Sequence, residues 1–216
     1  MGLQRGCRSR FIIFFVVVEC LMTLLAHAHE SLAQDSPESH QKTATGLSKG
    51  TWEATVMSGY TYTYRRTDAH VTKLQGVPVI LGGGLVATDP IGASWYQGQV
   101  TIGGELLFTQ YVEPLTTYLV ALTPTVKYTF LTSNRLRPYV EAGAGVVWTD
   151  LGDRIPEKGS RFNFNIQVGA GLSYLVTPTA SINLNYRFQH ISNAGTAHPN
   201  HGIDAGMALV GLSKYF

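Results

Sequence analysis

Hydrophobic and polar side chains alternate along most of the chain from Trp52 onward, with little sign of a helical period. A period of two is typical of strands that have one apolar and one polar face. Short connections marked by Pro, Gly or charge divide this region into eight strand candidates at fairly even spacing. They are Trp52–Tyr64, Leu74–Ala87, Ser94–Val112, Thr116–Phe130, Arg137–Trp148, Arg161–Val176, Thr179–Ser192 and Gly202–Phe216.

The sixth candidate indicates which face points outward. Its apolar face is long and carries aromatic residues near both ends, from Phe162 to Tyr174, whereas its other face carries Asn, Gln, Gly and Ser. An outward apolar band with aromatic ends is typical of membrane barrels, and small polar side chains can fill a narrow barrel. The sequence therefore predicts an all-β fold, an eight-stranded antiparallel transmembrane β-barrel over residues 51–216. A soluble barrel that binds a hydrophobe inside is the alternative, but it would need an apolar interior.

The start of the chain has the features of a secretory signal peptide, predicted for residues 1–28. Three arginines precede an apolar stretch, and Ala26-His27-Ala28 is a cleavage motif, with Ala33 as a later alternative. Residues 29–50 are polar, and we expect a flexible N-terminal segment. The protein is thus predicted to reach the bacterial outer membrane.

Charge and cysteine content exclude several classes of function. The chain has 16 basic and 14 acidic residues, and the signal segment contains three arginines and one glutamate, which leaves 13 of each sign. No basic stripe remains that would bind nucleic acid. Cys7 and Cys20 both lie in the predicted signal segment, so the mature chain would have no disulfide and no cysteine chemistry.

A base and a hydroxyl stand at the end of the apolar face of the seventh candidate. His190 and Ser192 share this face with Phe188 and Tyr186, where a purely structural strand has no use for them. Counting along the returning strand places Asp204 on the same face and at the same outer end. The sequence therefore brings a serine, a histidine and an acid together near the outer membrane boundary.

These three residue types can hydrolyse an ester. A serine hydroxyl needs a base to take its proton, and imidazole suits that role near neutral pH. An acid fixes the imidazole tautomer and stabilises the imidazolium, and backbone N–H groups between Asn193 and Gly195 are the expected oxyanion donors. Each residue alone also has a structural interpretation: an interfacial histidine, a strand-terminating serine and a turn aspartate.

Two further groups are interpreted as structural. His198 and His201 could join His190 in a metal site, but no cysteine or second carboxylate accompanies them, so we predict no metal and no cofactor. Glu141 falls on the interior face of its strand, where an ion pair with a residue such as Arg187 is expected.

The end of the chain resembles the lipid A 3-O-deacylase (PagL) family. The residues that carry the resemblance are His190-Ile191-Ser192-Asn193-Ala194-Gly195, Pro199-Asn200, Gly202 and the final Phe216. The resemblance implies an eight-stranded outer-membrane barrel that removes the ester-linked hydroxyacyl chain at position 3 of lipid A. It implies that His190, Ser192 and Asp204 are catalytic and that Asn193 and Gly195 form the oxyanion hole. Asp204 stands where the family usually has Glu.

The resemblance also implies partners. Lipid A or lipopolysaccharide would be the substrate, the outer membrane the surroundings, and a homodimer is compatible with such a barrel. The alternative to the enzyme is a non-catalytic small outer-membrane barrel of structural or adhesin type, which would have no need of His190 or Ser192.

Overall fold

The computed structural model describes residues 46–64, 72–132 and 134–216. The predicted signal peptide, residues 1–28 with cleavage as late as 33, and most of the segment 29–50 lie outside the described residues. Within them, no helix is long and apolar enough to cross a membrane.

Eight antiparallel strands close into a barrel in sequence order, which confirms the predicted fold. Each strand pairs with its neighbours in the chain, and the last strand pairs with the first. The strands are β1 (Trp52–Thr63), β2 (Gln75–Val86), β3 (Gly98–Glu113), β4 (Thr117–Phe130), β5 (Leu136–Thr149), β6 (Phe162–Thr177), β7 (Ala180–Ser192) and β8 (Ile203–Tyr215). We call the end that carries the connections 64–74, 150–161 and 193–202 the outer end.

The third strand begins later than predicted. Ser94–Tyr96 forms a short 3-10 turn, and Ser94 has a φ of 56°, a left-handed conformation that a strand residue does not adopt. The connection before β3 therefore covers residues 87–97 and is longer than the short turn expected there.

Three prolines lie inside strands, and two of them, Pro78 and Pro124, lie beside an interruption of the pairing. Next to Pro78, the β1–β2 partners pass from Ser58↔Val79 to Thr61↔Gly76, and the Ser58 hydroxyl donates to the Pro78 carbonyl at 2.8 Å. Next to Pro124, the β4–β5 partners pass from Leu122↔Val146 to Thr125↔Gly143. Because proline has no N–H to donate, it is accommodated where the ladder is locally broken.

The polar faces point into the barrel, as predicted from β6 and β7. Arg187 is 2 % exposed and lies between two carboxylates. Its Nη1 is 2.5 Å from Glu105 Oε1, and its Nη2 is 2.6 Å from Glu141 Oε1. The predicted interior position and ion pair of Glu141 are confirmed.

The outer half of the interior contains a large apolar cluster, which the faces of β6 and β7 did not predict. The connection 150–161 folds over the outer mouth and buries Leu151 and Ile155 against side chains from the barrel wall. The cluster comprises Met57, Leu74, Ile80, Leu107, Tyr111, Leu119, Ala121, Val147, Leu151, Ile155, Ile191, Ile203, Met207 and Leu209. This packing supports the strand ends that carry the predicted site.

Candidate active site

The antiparallel register places His190 directly opposite Asp204. The two residues are Cα partners in the β7–β8 pair, and both side chains point outward, toward the lipid. His190 Nδ1 lies 2.6 Å from Asp204 Oδ1, and the two side chains are 34 % and 19 % exposed. A carboxylate at Nδ1 fixes the tautomer that leaves Nε2 as the basic nitrogen of the imidazole.

Ser192 is the last residue of β7 and lies on the same outward face as His190. It is partly buried and pairs with Phe164 of β6, an exposed aromatic residue of the lipid-facing surface. The hydroxyl therefore stands at the rim of the apolar surface, where the strand gives way to the outer connection.

The backbone after Ser192 turns sharply, and Asn193 holds this turn. The Asn193 side chain is fully buried; its Nδ2 donates to the Ala197 carbonyl at 2.8 Å, and its Oδ1 accepts from the Gly195 N–H at 3.0 Å. The Asn193 N–H donates to Asn200 Oδ1 at 3.0 Å. Both residues predicted to form the oxyanion hole thus make hydrogen bonds within the connection.

Ala194 has the less usual backbone. Its φ is 54°, in the left-handed region, which costs a residue with a Cβ about 1–2 kcal/mol and is enriched at functional sites. Its N–H has no acceptor among the residues that the structure describes. The Ala194 N–H is therefore a donor available to a ligand next to Ser192.

An apolar surface extends from the site toward the middle of the membrane. Gly206, two residues beyond Asp204, is bordered by the Tyr64 and Tyr186 hydroxyls, which hydrogen-bond to each other. Beyond them lies an open groove of about 500 Å³ with an almost entirely apolar lining, which includes Leu184 and Ala208. A hydrocarbon chain could lie along this surface with its polar end at His190 and Ser192.

The structure also brings residues to the site that sequence reasoning missed. Glu157 and Lys158, in the connection 150–161, are 3 % and 2 % exposed and contact the two connections on either side. No local pattern marks them, because their partners Thr72 and Ile191 are more than thirty residues away in the chain. In the described ranges, which include His190, His198 and His201, no three His, Cys, Asp or Glu side chains converge to hold an ion.

Comparison with protein families identifies the relatives of this barrel. The model of the family described as lipid A 3-O-deacylase (PagL) matches residues 45–213. The chain belongs to the lipid A 3-O-deacylase (PagL) family. The resemblance predicted from the last two strands is therefore confirmed, and with it the location in the bacterial outer membrane.

Individual relatives add detail to the family match. The chain is 34 % identical over 89 residues to the lipid A deacylase PagL of Pseudomonas aeruginosa, a segment that covers 40 % of this chain and 47 % of the relative. The match thus spans about half the length of this curated relative.

Solved structures support the fold. The crystal structure of the outer-membrane enzyme PagL aligns with a TM-score of 0.50 and 22 % identity over 74 % of this chain and 97 % of that one. Neisserial surface protein A aligns with a TM-score of 0.57 and 16 % identity over 78 % of this chain and 100 % of that one. Because an enzyme and a surface protein share this barrel, the fold alone does not decide the activity.

Proposed function

We propose that the protein is an outer-membrane esterase that removes the 3-O-linked hydroxyacyl chain of lipid A, with Ser192, His190 and Asp204 as catalytic residues. The observation that supports this most directly is the 2.6 Å contact between His190 Nδ1 and Asp204 Oδ1 on the lipid-facing surface. A barrel with no chemistry to perform gains little from a single histidine–carboxylate contact at the surface, since even charged surface pairs contribute only about 0–1 kcal/mol.

The reaction proceeds by acyl transfer to serine. His190 Nε2 takes the proton of the Ser192 hydroxyl as Oγ attacks the ester carbonyl, and Asp204 stabilises the imidazolium that forms. His190 then returns the proton to the departing sugar oxygen, which leaves an acyl-serine. A water molecule, deprotonated by the same histidine, releases the hydroxy fatty acid and restores Ser192. Water is the only co-substrate.

The oxyanion is held by the segment from Asn193 to Gly195. The Asn193 and Gly195 N–H groups are engaged in the connection, whereas the Ala194 N–H has no acceptor among the described residues. Substrate binding must therefore release one of the two engaged bonds or use the Ala194 N–H. In either case, the buried Asn193 side chain fixes the direction of these donors.

Lipid A reaches the site from within the membrane leaflet. The scissile ester lies at the level of Ser192, and the acyl chain follows the apolar surface past Gly206 toward the groove beside Leu184. The acyl chain is already in hydrocarbon before it binds, so the groove positions the ester through packing contacts and gains no transfer energy from water. The homodimer remains a prediction.

The proposal is tested by mass spectrometry of lipid A from cells that express the wild type, Ser192→Ala or Ser58→Ala. Ser58 is the matched control, because it is another partly buried serine of a strand, on β1 away from the site. We expect the wild type and Ser58→Ala to remove one hydroxyacyl chain and Ser192→Ala to remove none. If no chain is lost although the wild type is folded in the outer membrane, the non-catalytic barrel becomes the better interpretation.

A further inference from the structure

A buried lysine lies one peptide unit from the proposed nucleophile. Lys158 is 2 % exposed, and its Nζ donates to the Ile191 carbonyl at 2.8 Å and to Asn163 Oδ1 at 3.1 Å. In the part of the chain that the structure describes, no carboxylate lies within ion-pair distance of this ammonium group. Ile191 immediately precedes Ser192, so the lysine holds the peptide group from which Ser192 extends.

The segment that carries Lys158 is attached on two sides. Glu157 accepts hydrogen bonds from the Thr72 hydroxyl at 2.9 and 3.0 Å, and its backbone carbonyl accepts from the His201 N–H at 3.2 Å. Lys158 itself forms a β-bridge with Asn200. The lysine therefore approaches the Ile191 carbonyl from a backbone that is already fixed against the neighbouring connections.

The neighbouring Gly159 allows this close approach. A Cβ on Gly159 would lie 2.3 Å from the His198 carbonyl oxygen, a distance that backbone atoms cannot tolerate. The connection 150–161 thus packs backbone to backbone against the connection that follows Ser192.

Burial of an ammonium group without a carboxylate partner costs free energy, so attachment of the connection 150–161 to the barrel does not by itself explain Lys158. Burial lowers the pKa of Lys158 to about 8, and an apolar side chain would fill the same space without that penalty. Its two acceptors are neutral oxygens, and one of them belongs to the peptide that carries Ser192. This placement suggests a task beyond packing.

We propose that Lys158 is a positioning residue for the acyl transfer, which holds the Ile191–Ser192 peptide and thereby the direction of the Ser192 hydroxyl toward His190. The inference rests on the proposed function of Ser192. The geometry supports this role. Ser192 is the final residue of β7 and is paired only with β6, whereas His190 is paired with both neighbouring strands. A displacement of about 1 Å in a reacting group can lower a rate about 100-fold.

The test compares Lys158→Met, which removes the donor, with Lys158→Gln, which keeps an N–H donor on a side chain one bond shorter. Lys214→Met is the matched control, because Lys214 also donates to a neutral oxygen, Thr179 Oγ1 at 3.1 Å, but at the opposite end of the barrel. Turnover of purified lipid A in detergent micelles gives kcat and KM. A fluorophosphonate probe measures the reactivity of Ser192 without any lipid substrate.

We expect Lys158→Met to lower kcat about 10- to 100-fold with KM within about threefold of wild type, and to slow fluorophosphonate labelling to a similar extent. Lys158→Gln should recover most of both rates, and Lys214→Met should match the wild type. Folding of each variant is checked by the mobility shift on heating in gel electrophoresis. Should Lys158→Met not fold, Lys158→Ala, which leaves space for water, takes its place; if that variant also fails to fold, Lys158 is structural and the proposal is overturned.

The other outcomes separate this proposal from the proposed function. If the wild type cleaves lipid A and the Lys158 variants do so equally fast, the positioning role is wrong and the esterase remains. If the wild type does not cleave lipid A but Ser192 is labelled in a Lys158-dependent manner, the positioning role stands and the substrate is wrong. Equal losses in Lys158→Gln and Lys158→Met, or a change in KM alone, would also overturn the positioning role.

Discussion

The negative charge of the Asp204 carboxylate should raise the rate of ester hydrolysis. The substitution Asp204→Asn removes that charge while keeping the size of the side chain. The His190–Asp204 contact is 2.6 Å long. During the reaction His190 becomes an imidazolium, so an attraction between opposite charges appears in the transition state that is absent before it. The amide of asparagine cannot supply this attraction.

The magnitude follows from the distance and the exposure. Two unit charges 2.6 Å apart attract by about 6 kcal/mol at an effective dielectric constant near 20, and by about 1.6 kcal/mol in bulk water. With Asp204 19 % and His190 34 % exposed, the interaction lies between these limits, at about 3 kcal/mol. We therefore expect kcat to fall about 100-fold in Asp204→Asn.

The assay is release of the hydroxy fatty acid from lipid A in micelles, measured under saturating substrate. Asp204→Glu should remain within about tenfold of wild type, because it keeps the carboxylate that stabilises the imidazolium. Glu113→Gln is the control, since Glu113 is an exposed carboxylate at the outer end of β3, away from the site. A rate for Asp204→Asn within about threefold of wild type would refute the reasoning and leave His190 to act without an acid.

Two further predictions concern stability, measured by urea titration in lipid vesicles. Arg187→Met leaves Glu105 and Glu141 without their shared cation inside the barrel, and we expect the free energy of unfolding to fall by about 3–5 kcal/mol. Arg161→Met breaks an exposed pair and should change the free energy of unfolding by at most about 1 kcal/mol. Equal losses in the two variants would contradict this. Lys158, with its pKa lowered from 10.5 to about 8, is charged in both folded and unfolded chains below pH 8, so the full burial penalty applies there. Between pH 8 and 10.5 only the unfolded chain holds the proton on this lysine, so the stability of the wild type relative to Lys158→Met should rise by about 3 kcal/mol over this range. If the stability difference between the two proteins does not change with pH, the lowered pKa is refuted.

The barrel could be predicted from the sequence because its signal is local and repeated. On β6 each successive residue changes sides, so the aromatic and aliphatic set is exposed while Asn163, Asn165 and Gln167 are buried. The same alternation carries His190 and Ser192 to the outer surface of β7, as predicted. No knowledge of distant contacts is needed for these assignments.

The roles of Glu157 and Lys158 could not be predicted, because they depend on contacts between connections. Their partners Thr72 and Ile191 are 85 and 33 residues away, and a charged pair in a polar loop is normally solvated. The late start of β3 could not be predicted either, because Ser94 adopts a left-handed conformation that is normally expected of glycine or asparagine and not of serine.

The register explains how one hairpin can hold the whole proposed triad. Directly opposed residues of an antiparallel pair have Cβ atoms about 4.5–5.5 Å apart, a gap that an aspartate and an imidazole together can close. His190 and Asp204 are such a pair, and their contact of 2.6 Å shows that the shorter acid reaches without help from the backbone. Ser192 requires no partner strand for its placement on the same face, because it follows His190 by two residues. Beyond Ile191, β7 is paired with β6 alone, and Ile191 is the residue whose carbonyl Lys158 contacts.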